Sequence, residues 1–173
     1  PTHRSAEQRF HIGFFGEVML EFRTTPVQAA GGAGFGGDTL NSAFYLQQLV
    51  LQAGFTRKVS YFTAVGSDAS SQQLAATLAA TGLALPWQTD ASRALGCYWI
   101  STDASGERSF RDQRSDSAVR AYFAGAAPTA LELALTGALD ALDCCYLSGI
   151  SLAVLPEPAR ERLFAALQQF CAR

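Results

Sequence analysis

The chain has 173 residues and a mass of 18.4 kDa, which makes one domain, or most of one, on the usual range of ~100–200 residues. With 49% apolar and 16% charged residues, intrinsic disorder is excluded, because the chain has ample side chains to bury. Its net charge of −2, from 13 basic and 15 acidic side chains without a basic stripe, argues against nucleic acid as a partner.

No apolar run approaches the ~18–20 residues that span a bilayer, so no membrane partner is expected. Residues 1–9 lack the apolar stretch of a signal peptide, and a cytoplasmic location is expected. The four cysteines, Cys97, Cys144, Cys145 and Cys171, form no C-x-x-C pair and have no partner His at zinc spacing. They read as free thiols in or near a core.

Residues 10–15 read as a short buried strand ending at Gly16, and residues 18–22 continue in extended form. Residues 31–37 hold five glycines. A helix is expected from Asp38, because Leu40, Ala43, Phe44, Val50 and Leu51 recur at helical spacing. Asp38 is placed to cap it, accepting bonds from unpaired backbone N–H groups. Residues 59–65 are the next strand, closed by Gly66. Asp68 opens a helix with Leu74, Ala75, Leu78 and Ala79 on one face, and Gly82 stops it. This βαβα rhythm predicts a parallel sheet with helices packed on it.

The middle changes character. Residues 96–102 and 107–111 read as two strands joined by turn chemistry, Asp103-Ala104-Ser105-Gly106. That is a hairpin set into a parallel fold. Thr129 and Glu132 form a T-x-x-E capping box before Leu131, Leu135, Ala138 and Leu142. Residues 144–148 are a third buried strand, ended by Gly149. Pro158 stands early in a last helix that carries Leu163, Ala166, Leu167 and Phe170 on one face and runs to Arg173. Three parallel strands make a small sheet, and a strand normally follows such a helix. The chain therefore reads as an α/β protein cut off after a helix.

The segment Gly32-Ala33-Gly34-Phe35-Gly36-Gly37 matches G-x-G-x-x-G. A dinucleotide site needs a strand directly before it and an acid about 20 residues on. Here residues 24–30 make a poor strand, and Arg57 and Lys58 stand where the acid belongs. That makes the dinucleotide reading the weakest of three, beside a tight turn alone and a loop whose backbone closely approaches a polar ligand. Asp38 and Asn41, three apart on the first helical turn, share one face. Asn41 offers both a donor and an acceptor to a hydroxylated ligand.

Taken together, Gly16-Glu17-Val18-Met19-Leu20-Glu21, Gly34-Phe35-Gly36-Gly37-Asp38-Thr39-Leu40-Asn41, Val59-Ser60-Tyr61-Phe62-Thr63-Ala64-Val65-Gly66, Gly106-Glu107-Arg108-Ser109-Phe110 and Tyr146-Leu147-Ser148-Gly149-Ile150-Ser151 resemble the ribokinase-like (PfkB) carbohydrate kinases. Within that group the likeness is greatest to the 2-keto-3-deoxygluconate kinases. It runs from Phe10 onward, in order and spacing, and covers the N-terminal half of such a kinase.

The resemblance implies a parallel α/β sheet flanked by helices, with a small β-sheet lid from segments near 17–35 and 86–114. It implies phosphoryl transfer from ATP, with Mg²⁺, to the terminal hydroxyl of 2-keto-3-deoxygluconate, and a possible homodimer through the lid. Gly37 and Asn41 match positions that hold the sugar acid, with Gly36 and Asp38 in the same turn. Tyr98 matches a substrate-contacting lid tyrosine, and Arg114 an arginine that meets the substrate carboxylate, a role suited to the guanidinium fork.

The chain departs from the pattern twice. Relatives carry an aromatic run ending Phe-Tyr-Tyr-Trp-Arg, where this chain has Phe110-Arg111-Asp112-Gln113-Arg114. Asp112 stands where a substrate-facing tyrosine is expected, and it repels an anionic sugar acid unless Arg111 or Arg114 compensates. The catalytic Gly-Ala-Gly-Asp segment, whose amides and Asp serve the transfer, is absent. The expectation is therefore a substrate-binding and lid half, with no catalytic residue, no metal ligands and no tight ATP or Mg²⁺ site of its own. Two alternatives stay open: a non-catalytic dimerising or sugar-binding module, and a related kinase acting on fructose or ribose.

Overall fold

The computed structural model describes residues 10–24, 33–55, 57–122 and 124–172. In chain order the strands are β1 (His11–Phe15), β2 (Met19–Thr24), β3 (Ala33–Gly36), β4 (Lys58–Phe62), β5 (Ala64–Val65), β6 (Gln88–Thr89), β7 (Gly96–Thr102), β8 (Arg108–Gln113) and β9 (Cys144–Leu147). The helices are α1 (Asp38–Gln52), α2 (Ala69–Ala79), α3 (Ala130–Leu139), α4 (Gly149–Ala153) and α5 (Glu157–Cys171).

Strands β4, β1 and β9 form the expected parallel sheet, with β1 in the middle. Successive side chains of a strand point to opposite faces, and this splits the core in two. Phe14, Val59 and Tyr61 face Leu40, Ala43 and Val50 of α1 and Leu74 and Leu78 of α2. Phe15 and Phe62 face Leu135 and Leu139 of α3 and Ala159 and Leu163 of α5. Burying each such side chain contributes roughly 1.5–3 kcal/mol, so these two layers hold the sheet between helices. The last helix buries the face expected of it, with Ala166, Leu167 and Phe170 half-buried beside Leu163.

A second sheet, in the order β3-β2-β7-β8, begins with β2, the strand that follows β1 in the chain. β7 and β8 form the expected antiparallel hairpin, with β8 reaching Gln113 rather than stopping at Arg111. Asp103 organises its turn by accepting the Ser105 and Glu107 N–H groups at 2.8 and 3.0 Å, while Gly106 takes a left-handed φ of 88°. β2 pairs parallel with β7 and antiparallel with β3, and Phe22 stacks on Trp99 at 5.5 Å.

Several sequence expectations change. Residues 33–36 are not a loop but edge strand β3. Asp38 is not the N-cap: Gly37 is, and Asp38 opens the first turn, accepting the Thr39 N–H at 2.7 Å. It still lies at the helix end that favours negative charge. The strand over 59–65 breaks after Phe62, because Ala64 and Val65 leave the main sheet to pair with Gln88 and Thr89. The T-x-x-E box is half made. Thr129 accepts the Glu132 N–H at 3.1 Å, but the Glu132 carboxylate takes Arg162 Nε at 3.0 Å instead. The readings made for residues 1–9 and 25–32, which include Gly31, Gly32 and most of the poor strand at 24–30, lie outside the described residues. So does Arg173.

The cysteines are free, with Cys97, Cys144 and Cys145 half-buried and Cys171 exposed. Burial pushes the Cys145 thiol up to about 11, which leaves it protonated and unreactive at neutral pH. No helix of the described residues is long and apolar enough to cross a membrane.

Asp68, expected to open α2, is its N-cap, accepting the N–H groups of Ser70 and Ser71 at 3.0 and 3.1 Å and the Ser71 hydroxyl at 2.7 Å. Ser71 Oγ in turn accepts the Gly66 N–H at 2.9 Å, joining the helix to the end of β5. Desolvation opposes ionisation, but these hydrogen bonds together hold the carboxyl below its usual range. Asp68→Ala is expected to cost about 1–2 kcal/mol in urea unfolding at pH 7. The wild-type advantage is present above the ordinary Asp pKa of ~3.9 and fades as pH falls through the lower folded value.

Candidate functional site

The chain leaves β1 at Gly16 and enters β2 through Glu17, so Glu17 stands where the two sheets meet. The first turn of α1 is pressed against it. A Cβ on Gly37 would run into the Glu17 carbonyl oxygen, so only glycine allows this approach. The Asn41 N–H bonds back to the Gly37 carbonyl at 2.8 Å. Across from this turn stand β7 and the end of β8, where Tyr98 and Asp112 are register partners. Gly36 backs onto the Tyr98 hydroxyl, leaving no room for a side chain.

Glu17, Met19, Gly37, Asp38, Asn41, Tyr98, Phe110, Arg111, Asp112, Arg114 and Ile150 enclose a cleft of about 380 Å³. It is within the range of small-molecule sites. Five of the six residues singled out from sequence therefore line one space, and the sixth, Gly36, supports Tyr98 from behind. A larger cleft of about 460 Å³ lies by Ser67, Arg93 and Ser117 and contains none of the six. There Asp68 is taken up by its cap, and Arg93 pairs with Asp116 at 2.8 Å.

The polar groups of the 380 Å³ cleft are mutually held. Arg114 Nη2 pairs with Glu17 Oε2, and the Glu17 side chain is only 2% exposed. Glu17 Oε1 and Arg114 Nε are buried with no protein partner. Arg120 Nε donates to the Arg114 carbonyl at 3.0 Å and fixes the backbone there. The Tyr98 phenol donates to Glu21 Oε2, and Glu21 Oε1 takes Arg23 Nε. Burial, and then Glu21, push the Tyr98 phenol well above its ordinary pKa. Its proton is committed to Glu21, so the oxygen has lone pairs left to accept from a ligand hydroxyl. The lining carries three carboxylates (Glu17, Asp38, Asp112) and two guanidiniums (Arg111, Arg114). Asp112, the departure noted in the sequence, is thus a wall of the cleft.

Glu17, Glu21 and Ile150 were given no role from sequence. The two acids did carry a signal, standing four apart in the apolar run Gly16–Glu21, since a charge in such a run is buried only with a partner. Ile150 reaches the cleft because α4 is tied down. Ser148 and Ser151 cap each other, and Ser151 Oγ donates to the Phe15 carbonyl at 2.7 Å.

Among the described residues no three His, Cys, Asp or Glu are grouped to hold a metal ion. No Gly-Ala-Gly-Asp segment occurs in the 173 residues.

The chain is 36% identical over 163 residues to a 2-dehydro-3-deoxygluconokinase of Dickeya dadantii, covering 91% of this chain and 49% of the relative. It is 37% identical to the protein of the same name from Haemophilus influenzae, covering 94% and 50%. The chain spans about half the length of the curated relatives it matches. A ribokinase structure from Giardia lamblia shares the fold, with a TM-score of 0.72 at 13% identity over 94% of this chain and 48% of that one. Residues 13–173 match the pfkB family carbohydrate kinases. The chain belongs to that family.

Proposed function

We propose that this chain forms the substrate-binding cleft and lid of a kinase acting on 2-keto-3-deoxygluconate, the compound also called 2-dehydro-3-deoxygluconate. The observation that carries the reading is the convergence of Gly37, Asp38, Asn41, Tyr98 and Arg114 on one cleft. The names of the relatives at 36% and 37% identity support the sugar acid as substrate. In this reading the Arg114 guanidinium meets the carboxylate, Asn41 and Asp38 bond hydroxyls, and Tyr98 accepts another. Gly37 lets the sugar reach the backbone. The whole enzyme's reaction, phosphoryl transfer to the terminal hydroxyl, needs groups this chain does not carry. Its part is to bind, orient and shield the substrate.

Calorimetry of the chain with 2-keto-3-deoxygluconate is expected to show binding. Asn41→Ala and Arg114→Lys are each expected to weaken it about 10-fold or more, the effect of losing roughly 1.5–3 kcal/mol of charged or paired hydrogen bonding. Lysine keeps the charge that Glu17 needs but loses the fork. If neither change alters binding, the residue assignments are wrong. No steady ATP turnover is expected from the 173 residues alone.

Asp112 supports a second reading, a neutral sugar such as fructose or ribose in place of the acid. The same titration with those sugars decides between them, and tighter binding of either would displace the sugar acid. The lid also supports edge-to-edge pairing of two copies. All six residues of β8 are exposed, and its outer edge carries no strand among the described residues. Light scattering that gives a strict monomer would remove that pairing.

A further inference from the structure

The face of the lid that carries Tyr98 continues beyond the cleft. Register partners on adjacent strands share a face, and so do residues two apart on one strand. Tyr98 pairs with Glu21 and Asp112, Ile100 with Arg23 and Phe110, and Thr102 with Arg108. Outward from the cleft, that face is therefore acidic, then apolar, then basic. At its outer end Arg23, Thr24, Ile100, Thr102 and Arg108 line a cavity of about 250 Å³. Thr102 stands four residues from Tyr98 on β7, roughly 14 Å along the strand at ~3.4 Å per residue. The cavity is therefore separate from the cleft.

Its chemistry is one-sided. Two guanidiniums enter its described lining and no carboxylate does. Arg23 Nε pairs with Glu21 Oε1, but the other oxygen of Glu21 is taken by the Tyr98 phenol. Among the described residues Arg108 makes no ion pair and the Thr102 hydroxyl has no hydrogen-bond partner. Thr24 commits its hydroxyl to Ser101 at 3.2 Å. Like charges gathered on one face of a sheet repel. An anion between them removes that cost, and guanidinium groups hold oxyanions through paired N–H donors.

We propose that this cavity is a subsite for a small oxyanion, a phosphate or a carboxylate, held by Arg23 and Arg108 with the Thr102 hydroxyl as a further donor. Its positive potential also raises the local concentration of anions along the lid face. Nothing in it depends on which sugar the cleft holds.

The test follows the arginine Nε–H signals of the 173-residue chain by NMR as sodium phosphate or sodium acetate is added at constant ionic strength. The Arg23 and Arg108 signals are expected to shift together and to saturate, and the anion bound more tightly identifies the group held. Arg23→Gln and Arg108→Gln are each expected to weaken that anion at least about fivefold, the loss of a charge-assisted hydrogen bond. Both positions are exposed, so both variants are expected to unfold at the parent's urea midpoint. Arg57→Gln, whose guanidinium lies over the Phe10 and Phe55 rings, is expected to leave binding unchanged. The proposal is overturned if the shifts rise without saturating, if chloride alone reproduces them, or if only Arg111 and Arg114 respond. It is equally overturned if Arg23→Gln and Arg108→Gln bind as the parent does.

Discussion

Arg114→Ala is expected to destabilise the chain by about 3 kcal/mol, the lower end of the cost of breaking a buried ion pair. Its partner Glu17 is 2% exposed on its side chain, while Arg114 is 22% exposed. Removing the arginine strands a carboxylate in the junction between the two sheets, without the one ion pair it makes among the described residues. Water entering the space left by the arginine keeps the loss at the lower end. The double variant Glu17→Met/Arg114→Met is expected to return to within about 1 kcal/mol of the parent, because apolar pairs of similar volume often replace buried ion pairs at no loss. Urea unfolding of the single and double variants measures both numbers. A single variant as stable as the parent would mean that Glu17 is solvated and the pair is not a structural element. The same geometry explains why lysine is the better choice at position 114 for separating binding from folding.

Gly37→Ala is the second large effect, with an expected loss of about 2–3 kcal/mol, in the range of forced overpacking. The added methyl meets backbone, the Glu17 carbonyl, rather than a side chain able to swing away. The start of α1 must then move off Glu17, which opens the cleft, so ligand binding is expected to fall with stability. Gly34→Ala is the control from the same glycine block. Nothing lies within 4 Å of the position its Cβ would take, and it is expected to change stability by no more than about 0.5 kcal/mol. Thermal or urea unfolding of the pair settles whether the glycines act together as a flexible loop or one at a time. Equal effects at the two positions would exclude the close-approach explanation.

Much of this protein was legible in its residues. Strands at β1, β4 and β9 stand out because an apolar run of this length, closed by glycine, has few other uses. The α2 cap and the β7–β8 turn were readable for a local reason, since Asp68 and Asp103 bond N–H groups within four residues of themselves. The cleft residues were named through the family pattern, and the fold brings them to one place. What stayed hidden depends on partners far away in the chain. Residues 33–36 look like a loop because glycine disfavours strands, yet pairing with β2 makes them one. Glu132 has the spacing of a capping box, but Arg162, thirty residues on, is the stronger partner for its charge.

The sequence by itself determined the alternation of elements, which is written in spacing and local chemistry, and the family, which is written in its motifs. Only the tertiary structure decided that Arg114 is held by Glu17, 97 residues earlier, that Asp112 walls the cleft, and that β1 and not β4 or β9 is the middle strand of the parallel sheet. Those are matters of which distant surfaces touch. Charge pairing and sheet closure are settled by contacts that no local periodicity encodes.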